Sequence, residues 1–136
     1  MGPQVYTRLK KITFDEKQNL GLRWQAFMAM ARLGEKESMP EVELALKSKH
    51  WFLRNAALRV LPLFDEKKAY DQAVKSLDDV ALVVRTQAVD TLGRLKNPDC
   101  TDKLWNKLYA DSNYMRHQSL WIRRHIVEAL ADFSPK

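Results

Sequence analysis

Hydrophobic positions recur along the chain as an aliphatic residue, an arginine, two variable residues, an alanine and an apolar residue. This pattern occupies 22–27, 53–58 and 84–89, so that each copy lies 31 residues after the previous one. Counted from the arginine, apolar residues stand at −1, +3, +4, +7 and +10 in each of these copies. This is the one-face spacing of an amphipathic helix. Each copy is therefore predicted to be a helix that buries one face.

A second set of apolar residues, spaced i, i+4, precedes these helices with the same period: Val42 and Leu46, Ala73 and Leu77, and Leu104 and Leu108. Near the amino end, residues 5–12 form a comparable stripe. Helix pairs are therefore predicted at 3–14 with 20–33, 39–48 with 51–64, 68–78 with 82–95, and 100–110 with 119–133. We expect an all-α fold in a single domain over 1–136, with repeats at about 3–33, 39–64, 68–95 and 100–133.

The fourth copy departs from the regular spacing. A strict period places its arginine at Arg116, but Arg123 then falls on the apolar +7 position. With Arg123 as the reference, apolar residues fill all five positions. Residues 112–118 are therefore either a loop insertion or two extra turns of the last helix. We favour the loop, because insertions in repeat proteins tend to lie on one face.

The repeated motif, placed in the second helix of each pair, resembles the HEAT repeat and especially the short HEAT-like variety also found in phycobilisome lyases. The resemblance implies an α-α superhelix, a right-handed solenoid of about four helix pairs whose second helices line the concave side. It also implies an acidic residue in the turn before the arginine. Asp79 fits that place, but the other copies have different residues there: Lys17, Ser48 and His117. We therefore expect no continuous ladder of aspartates and arginines.

Composition excludes several classes of protein. The chain has 136 residues, of which 46% are hydrophobic and 29% charged, which is typical of a folded domain. Four glycines form no phosphate-binding loop, and a single cysteine with no Cys/His cluster predicts neither a disulfide nor a metal site. The sequence contains no apolar run of the roughly 18 residues that a membrane helix needs, and no signal-peptide-like stretch near its amino end, so no membrane partner is expected. The sequence predicts a cytoplasmic protein without a cofactor.

Arginine is separated from lysine along the chain, whose net charge is +6. The four predicted second helices contain eight arginines, three acids and no lysine, so they are positive by five. Arginine suits interfacial pairing because its planar guanidinium can bind a carboxylate or a phosphate with two hydrogen bonds. The resemblance implies a structural ladder, with heads bonded to turn carbonyls or acids, for the arginines at the repeated position: Arg23, Arg54, Arg85 and Arg123. The other four are candidate binding residues, with an ordinary solvated surface as the alternative: Arg32, Arg59, Arg94 and Arg124.

Aromatic residues extend the predicted binding surface on the concave side. Trp24 and Met28 lie off the buried stripe of their helix, and Phe52 and Trp121 stand at −2, at the front of theirs. An exposed tryptophan beside arginines is typical of an interface anchor. The alternative is that these aromatic side chains pack on a preceding turn or between neighbouring helix ends. Two further tryptophans are predicted to be core residues: Trp51 and Trp105.

Catalytic residues are not indicated. The three histidines show no spacing typical of a zinc site, and Cys100 has no partnered histidine. We therefore predict a noncatalytic scaffold that binds an acidic or amphipathic protein segment on the concave face. The alternatives are nucleic-acid binding, as in HEAT-like arrays resembling DNA glycosylases, and a lyase-accessory role by family analogy. The sequence does not predict an oligomeric state.

Overall fold

Eight α-helices run through residues 3–133, the part of the chain that the computed structural model describes. They are α1 Pro3–Phe14, α2 Leu20–Gly34, α3 Met39–Leu46, α4 Trp51–Phe64, α5 Glu66–Ser76, α6 Leu82–Leu95, α7 Thr101–Leu108 and α8 Ile122–Ala131. Short 3-10 helices join some of them, at Glu35–Ser38, Pro98–Cys100 and Asp111–Asn113. Each predicted helix is present within a few residues of its expected bounds, so the all-α prediction of helix pairs is confirmed.

The chain divides into two compact units, one ending at Phe64 and the other beginning at Asp65. In the first unit α1 packs on α2, α3 packs on α4, and the two second helices, α2 and α4, pack on each other. The largest buried side chains of this unit come from the apolar positions of the repeat: Phe27, Met30, Leu53, Leu58 and Leu61. The prediction of one domain over 1–136 stays a prediction.

The second unit repeats the arrangement. Helix α5 packs on α6, α7 packs on α8, and α6 packs on α8. Its core is again built from the repeat positions, with Val84, Leu92, Leu104, Ile122 and Ile126 all fully buried. Within each unit, therefore, the second helices meet their neighbours through the faces that the sequence pattern identified.

Local sequence signals set the helix ends. The Asn19 side chain accepts a hydrogen bond from the backbone N–H of Leu22, and Asp65 accepts one from Lys68, so both residues cap a helix amino terminus. Pro40 lies in the first turn of α3, where its missing N–H has no cost. Helix α6 is terminated by Lys96, the residue after Leu95, which adopts a left-handed conformation with a φ of 57°.

The segment 112–118 includes most of a β-hairpin and contains no extra turns of α8. Strand β1 (Tyr114–Met115) pairs antiparallel with β2 (Gln118–Ser119), and the 3-10 helix Asp111–Asn113 precedes them. Arg116 and His117 form the turn with φ values of 51° and 68°. Positive φ at both central residues defines a type I′ turn, which matches the twist of a hairpin. The favoured loop is thus confirmed, and the strands within it were not predicted.

Candidate functional site

The arginines at the repeated position direct their guanidinium groups to turns. In the first unit, Nε of Arg23 donates to the carbonyl of Thr13 at 2.9 Å, and its guanidinium lies 5.1 Å from the Phe52 ring centre. Nη1 of Arg54 donates to the carbonyl of Ser48 at 3.0 Å. Both groups therefore satisfy carbonyls that the helix ends leave unbonded.

Arg85 makes the densest set of such bonds in the second unit. Nη1 donates to the carbonyls of Asp79 and Val80, and Nη2 donates to that of Ser112 at 2.9 Å. Nε donates to Oδ1 of the fully buried Asn113 at 3.2 Å. The carboxylate of Asp79 accepts from the N–H of Ala81, so in this copy the turn acid caps backbone. Arg85 thus joins the turn before α6 to the segment before the hairpin.

Arg123 holds the hairpin to the start of α8. Its Nε donates to the carbonyl of Leu108 at 2.7 Å, and Nη1 donates to Oγ of Ser119 at 3.0 Å. The guanidinium also lies 4.3 Å from the ring centre of Tyr114, within the range of a cation–π contact. Asn113 and Tyr114 were not among the predicted site residues, because no repeat position marks them.

Four predicted binding residues lie together on the first unit. Trp24, Met28 and Arg32 follow one another at i, i+4 and i+8 along α2, and Arg59 lies on the neighbouring α4. Arg32 and Arg59 are exposed, Trp24 and Met28 are half-buried, and the Arg59 guanidinium is 5.8 Å from the Trp24 ring centre. Helices α2 and α4 contain four arginines and no acidic residue or lysine. We call this surface the α2/α4 face.

A cleft of about 490 Å³ adjoins the α2/α4 face at the carboxyl ends of the two helices. Val60, Leu63 and Phe64 of α4 supply apolar walls. The charged lining residues are mixed in sign: Arg32, Glu35, Lys36 and Glu37. Leu63, which the sequence did not indicate as a surface residue, is exposed there. Among the described residues Arg32 forms no ion pair or hydrogen bond, although Glu35 and Glu37 line the same cleft.

Three aromatic predictions need correction. Phe52 is only 5% exposed, because it packs beneath the Arg23 guanidinium and against His50, so it offers no contact area to a partner. Trp51 and Trp105 were expected in the core and are instead exposed. Trp51 is adjacent to the buried Phe52, and Trp105 is adjacent to the buried Leu104. Because adjacent side chains of a helix point about 100° apart, each tryptophan lies outside the buried stripe.

The predicted binding residues of the second unit lie beside acids. Arg124 is exposed and pairs with Glu128 one turn further along α8, at 3.5 Å. On α6, Asp90 accepts from Nδ1 of His125 at 2.7 Å, one turn before the exposed Arg94. Trp121, at the start of α8, is exposed. The charge on this surface is therefore more nearly balanced than on the α2/α4 face.

Reactive chemistry has little support in residues 3–133. No group of three or more His, Cys, Asp or Glu side chains there could hold a metal ion. Cys100 is buried, and burial raises the pKa of its thiol, which disfavours the nucleophilic thiolate. Among the described helices, none has the length and apolar character needed to cross a bilayer.

Comparison with protein families fits the stacked helix pairs. A family model described as HEAT repeats matches residues 7–93 and, in a second overlapping match, 42–121. The chain belongs to the HEAT-repeat family. HEAT repeats are commonly protein-interaction scaffolds and are typically noncatalytic. The match is to HEAT repeats in general, so the similarity to the phycobilisome-lyase variety is not confirmed. No curated protein matches the chain significantly.

Proposed function

We propose that this HEAT-repeat protein is a noncatalytic scaffold whose α2/α4 face binds an acidic, amphipathic segment of a protein partner. The absence of any acidic residue from α2 and α4, beside an exposed arginine pair and a partly exposed tryptophan, is the observation that supports the proposal. An acidic ligand meets no like charge on these two helices, whereas Glu35 and Glu37 in the adjoining cleft would repel a carboxylate that enters it.

The order of side chains favours a partner that is both acidic and apolar. Trp24 and Met28 provide apolar contact area, and tryptophan and arginine are enriched at energetically important interface positions. Arg32 lies eight residues from Trp24, which is about 12 Å along the helix. A partner with an apolar side chain and a carboxylate about two helical turns apart therefore contacts both. Arg94, Arg124 and Trp121 stay predicted contacts in the second unit.

Fluorescence anisotropy tests the proposal. The probe is a fluorescein-labelled helical peptide of about 18 residues, or five turns, with glutamates on one side and leucines on the other. A peptide with lysine at every glutamate position is its control. We expect the glutamate peptide to bind and the lysine peptide to fail. Equal binding of both peptides, or of neither, would refute the charge argument.

A matched pair of variants locates the site. Arg32→Glu/Arg59→Glu should weaken binding of the glutamate peptide at least tenfold, since losing about 1.4 kcal/mol changes affinity by that factor. Lys17→Glu/Lys49→Glu changes the charge equally at two exposed loop positions of the same unit and should leave affinity within about twofold. Equal losses in both variants would indicate an unspecific charge effect.

Duplex DNA is the competing ligand in the same assay. The net charge of +6 is modest and the α2/α4 face includes apolar side chains, so we expect weak DNA binding. Random duplex is titrated at about 50 mM salt and again at about 200 mM, since each phosphate contact that the protein makes steepens the loss of affinity with salt. Tight, salt-sensitive DNA binding that Arg32→Glu/Arg59→Glu abolishes would replace the proposed protein partner with a nucleic acid.

A further inference from the structure

One repeat position is uncovered only in the first copy. The aliphatic residue at −1 is fully buried in the other three copies, as Leu53, Val84 and Ile122. In the first copy the equivalent residue, Leu22, is 44% exposed. This side of the α1–α2 pair is therefore partly open among residues 3–133.

Another repeat position is uncovered only in the last copy. The apolar residue at +4 is fully buried as Phe27, Leu58 and Val89. Its equivalent in α8, Val127, is 53% exposed. The side of α8 that corresponds to a buried side in the other second helices is thus open in the described part of the chain.

The open side of the first pair forms an apolar groove of about 430 Å³. Val5 and Leu9 of α1 line it with Ala29 and Leu33 of α2, and Arg32 lies at its edge. Among residues 4–14 of α1, no apolar side chain is fully buried, whereas α3, α5 and α7 each bury at least one apolar side chain completely. We call Val5, Leu9, Leu22, Ala29 and Leu33 the amino-terminal face.

Small residues allow the same close approach that α6 and α8 already make. A methyl group placed on Gly93 (position +8) would lie 3.4 Å from Cβ of Ala129 (position +6), so these helices are in near contact there. In α8 the residue at +8 is Ala131, and in α2 the residue at +6 is Ala29. A second α2 can therefore meet α8 in the register in which α8 meets α6. We call Val127, Glu128, Ala131 and Asp132 the carboxyl-terminal face.

The two faces also differ in charge. Helices α1 and α2 contain no acidic residue, and their exposed bases are Arg8, Lys11 and Arg32, together with Lys10, which pairs with Glu41 of α3. On α8 and the residue that follows it, the exposed acids are Glu128, which pairs with Arg124 one turn earlier, and Asp132, which lies outside that pair. Opposite charges at docking surfaces steer association and disfavour pairing of like faces.

We propose that the occupant of the amino-terminal face is a second copy of this chain, which docks its carboxyl-terminal face there as a preceding repeat would. The contact is heterologous, because two different surfaces meet. A chain of docked copies therefore has an open amino-terminal face at one end and an open carboxyl-terminal face at the other. The proposed contact involves only one helix pair of each copy, and small specific interfaces are weak, so association is expected to depend on concentration.

Analytical ultracentrifugation of the full chain provides the test, at protein concentrations from about 10 to about 500 µM, a range suited to weak interfaces. Wild type should shift to larger species as concentration rises. Leu22→Glu blocks one face and Val127→Glu blocks the other, and each variant alone should stay monomeric. Mixed in equal amounts, the two variants should form a dimer and nothing larger, since one intact face remains on each.

Val80→Glu is the matched control, because Val80 is 92% exposed and belongs to neither face. This variant should self-associate like wild type. Circular dichroism melts confirm folding of each variant, and Val5→Glu replaces Leu22→Glu if the latter folds poorly. A wild type that is monomeric at every concentration overturns the proposal. So does a mixture of the two variants that stays monomeric, or association of either variant alone.

Discussion

Replacing Arg85 with methionine should destabilise the second unit by about 3 kcal/mol. The guanidinium bond to the buried Asn113 contributes about 1.5–3 kcal/mol, the range for a charged donor. The carbonyls of Asp79 and Ser112 lose a charged donor but lie in turns that water can reach, so each adds a smaller loss of about 0.5 kcal/mol. Methionine keeps most of the apolar stem, which limits the packing loss.

Urea unfolding followed by far-ultraviolet circular dichroism measures this loss. For a chain of this length, about 3 kcal/mol also corresponds to a fall of roughly 10 °C in melting temperature. Hydrogen exchange should locate the change, with faster exchange in the turn before α6 and in the hairpin segment. Both regions lose a guanidinium that bonds to their carbonyls.

Arg124→Met is the matched control, because Arg124 is exposed and its ion pair with Glu128 is a surface pair worth about 0.3–0.5 kcal/mol. A loss for Arg85→Met no greater than that of Arg124→Met would refute the role of Arg85 as a clamp between two turns. Rescue by Arg85→Lys to wild-type stability would also refute it, since lysine cannot reach four acceptors at once.

Titration and labelling test three other contacts. Burial and the hydrogen bond to Glu41 raise the pKa of Tyr6 to about 12, so its contribution to stability is complete below pH 10 and is lost as pH rises through about 12. In a titration followed by tyrosinate absorbance, one tyrosine should ionise near pH 12, and Tyr6→Phe should remove this step. The hydrogen bond from His50 holds the pKa of Glu16 below its ordinary 4.5, so that contribution is present above pH 4.5 and is lost as pH falls below it. Glu16→Gln should lower the melting temperature above pH 4.5 and make the melting temperature fall less steeply as pH drops below 4.5. A variant whose melting temperature falls as steeply as that of wild type below pH 4.5 would contradict this. Cys100 should react slowly with a thiol reagent at about pH 8 in the native protein and quickly in urea, since burial raises its pKa, and rapid native labelling would disprove its burial.

Helix positions were predictable because burial of one helix face requires apolar residues at regular spacings, and these spacings are visible in a single sequence. The spacing from Arg23, Arg54 and Arg85 locates three second helices, and Arg123 locates the fourth after its shift. Periodicity identifies the buried stripe of a helix but leaves the side chains at its edges undecided. Phe52 and Trp51 are adjacent at such an edge, and they were assigned to the wrong sides.

The hairpin could not be read from the sequence because its turn lacks the usual signal. Asn-Gly or Asp-Gly marks most type I′ turns, since these residues tolerate positive φ, whereas Arg116 and His117 occupy this turn. The strands have two residues each, too few for a recognisable alternation. Contacts with Arg85, Arg123 and Asn113 fix the base of the hairpin, and the bonds from Arg85 to Ser112 and Asn113 join residues that are far apart in sequence.

The hairpin also makes one point of the chain suited to engineering. Its anchoring bonds involve residues at its base, such as Asn113 and Ser119, while Arg116 and His117 at the tip are exposed. Extra sequence between these two residues leaves every anchoring bond and every helix intact, and exposed turn tips are the sites that best accept added residues. An epitope or a fluorescent label can therefore be grafted there, where it reports on the protein without entering either unit.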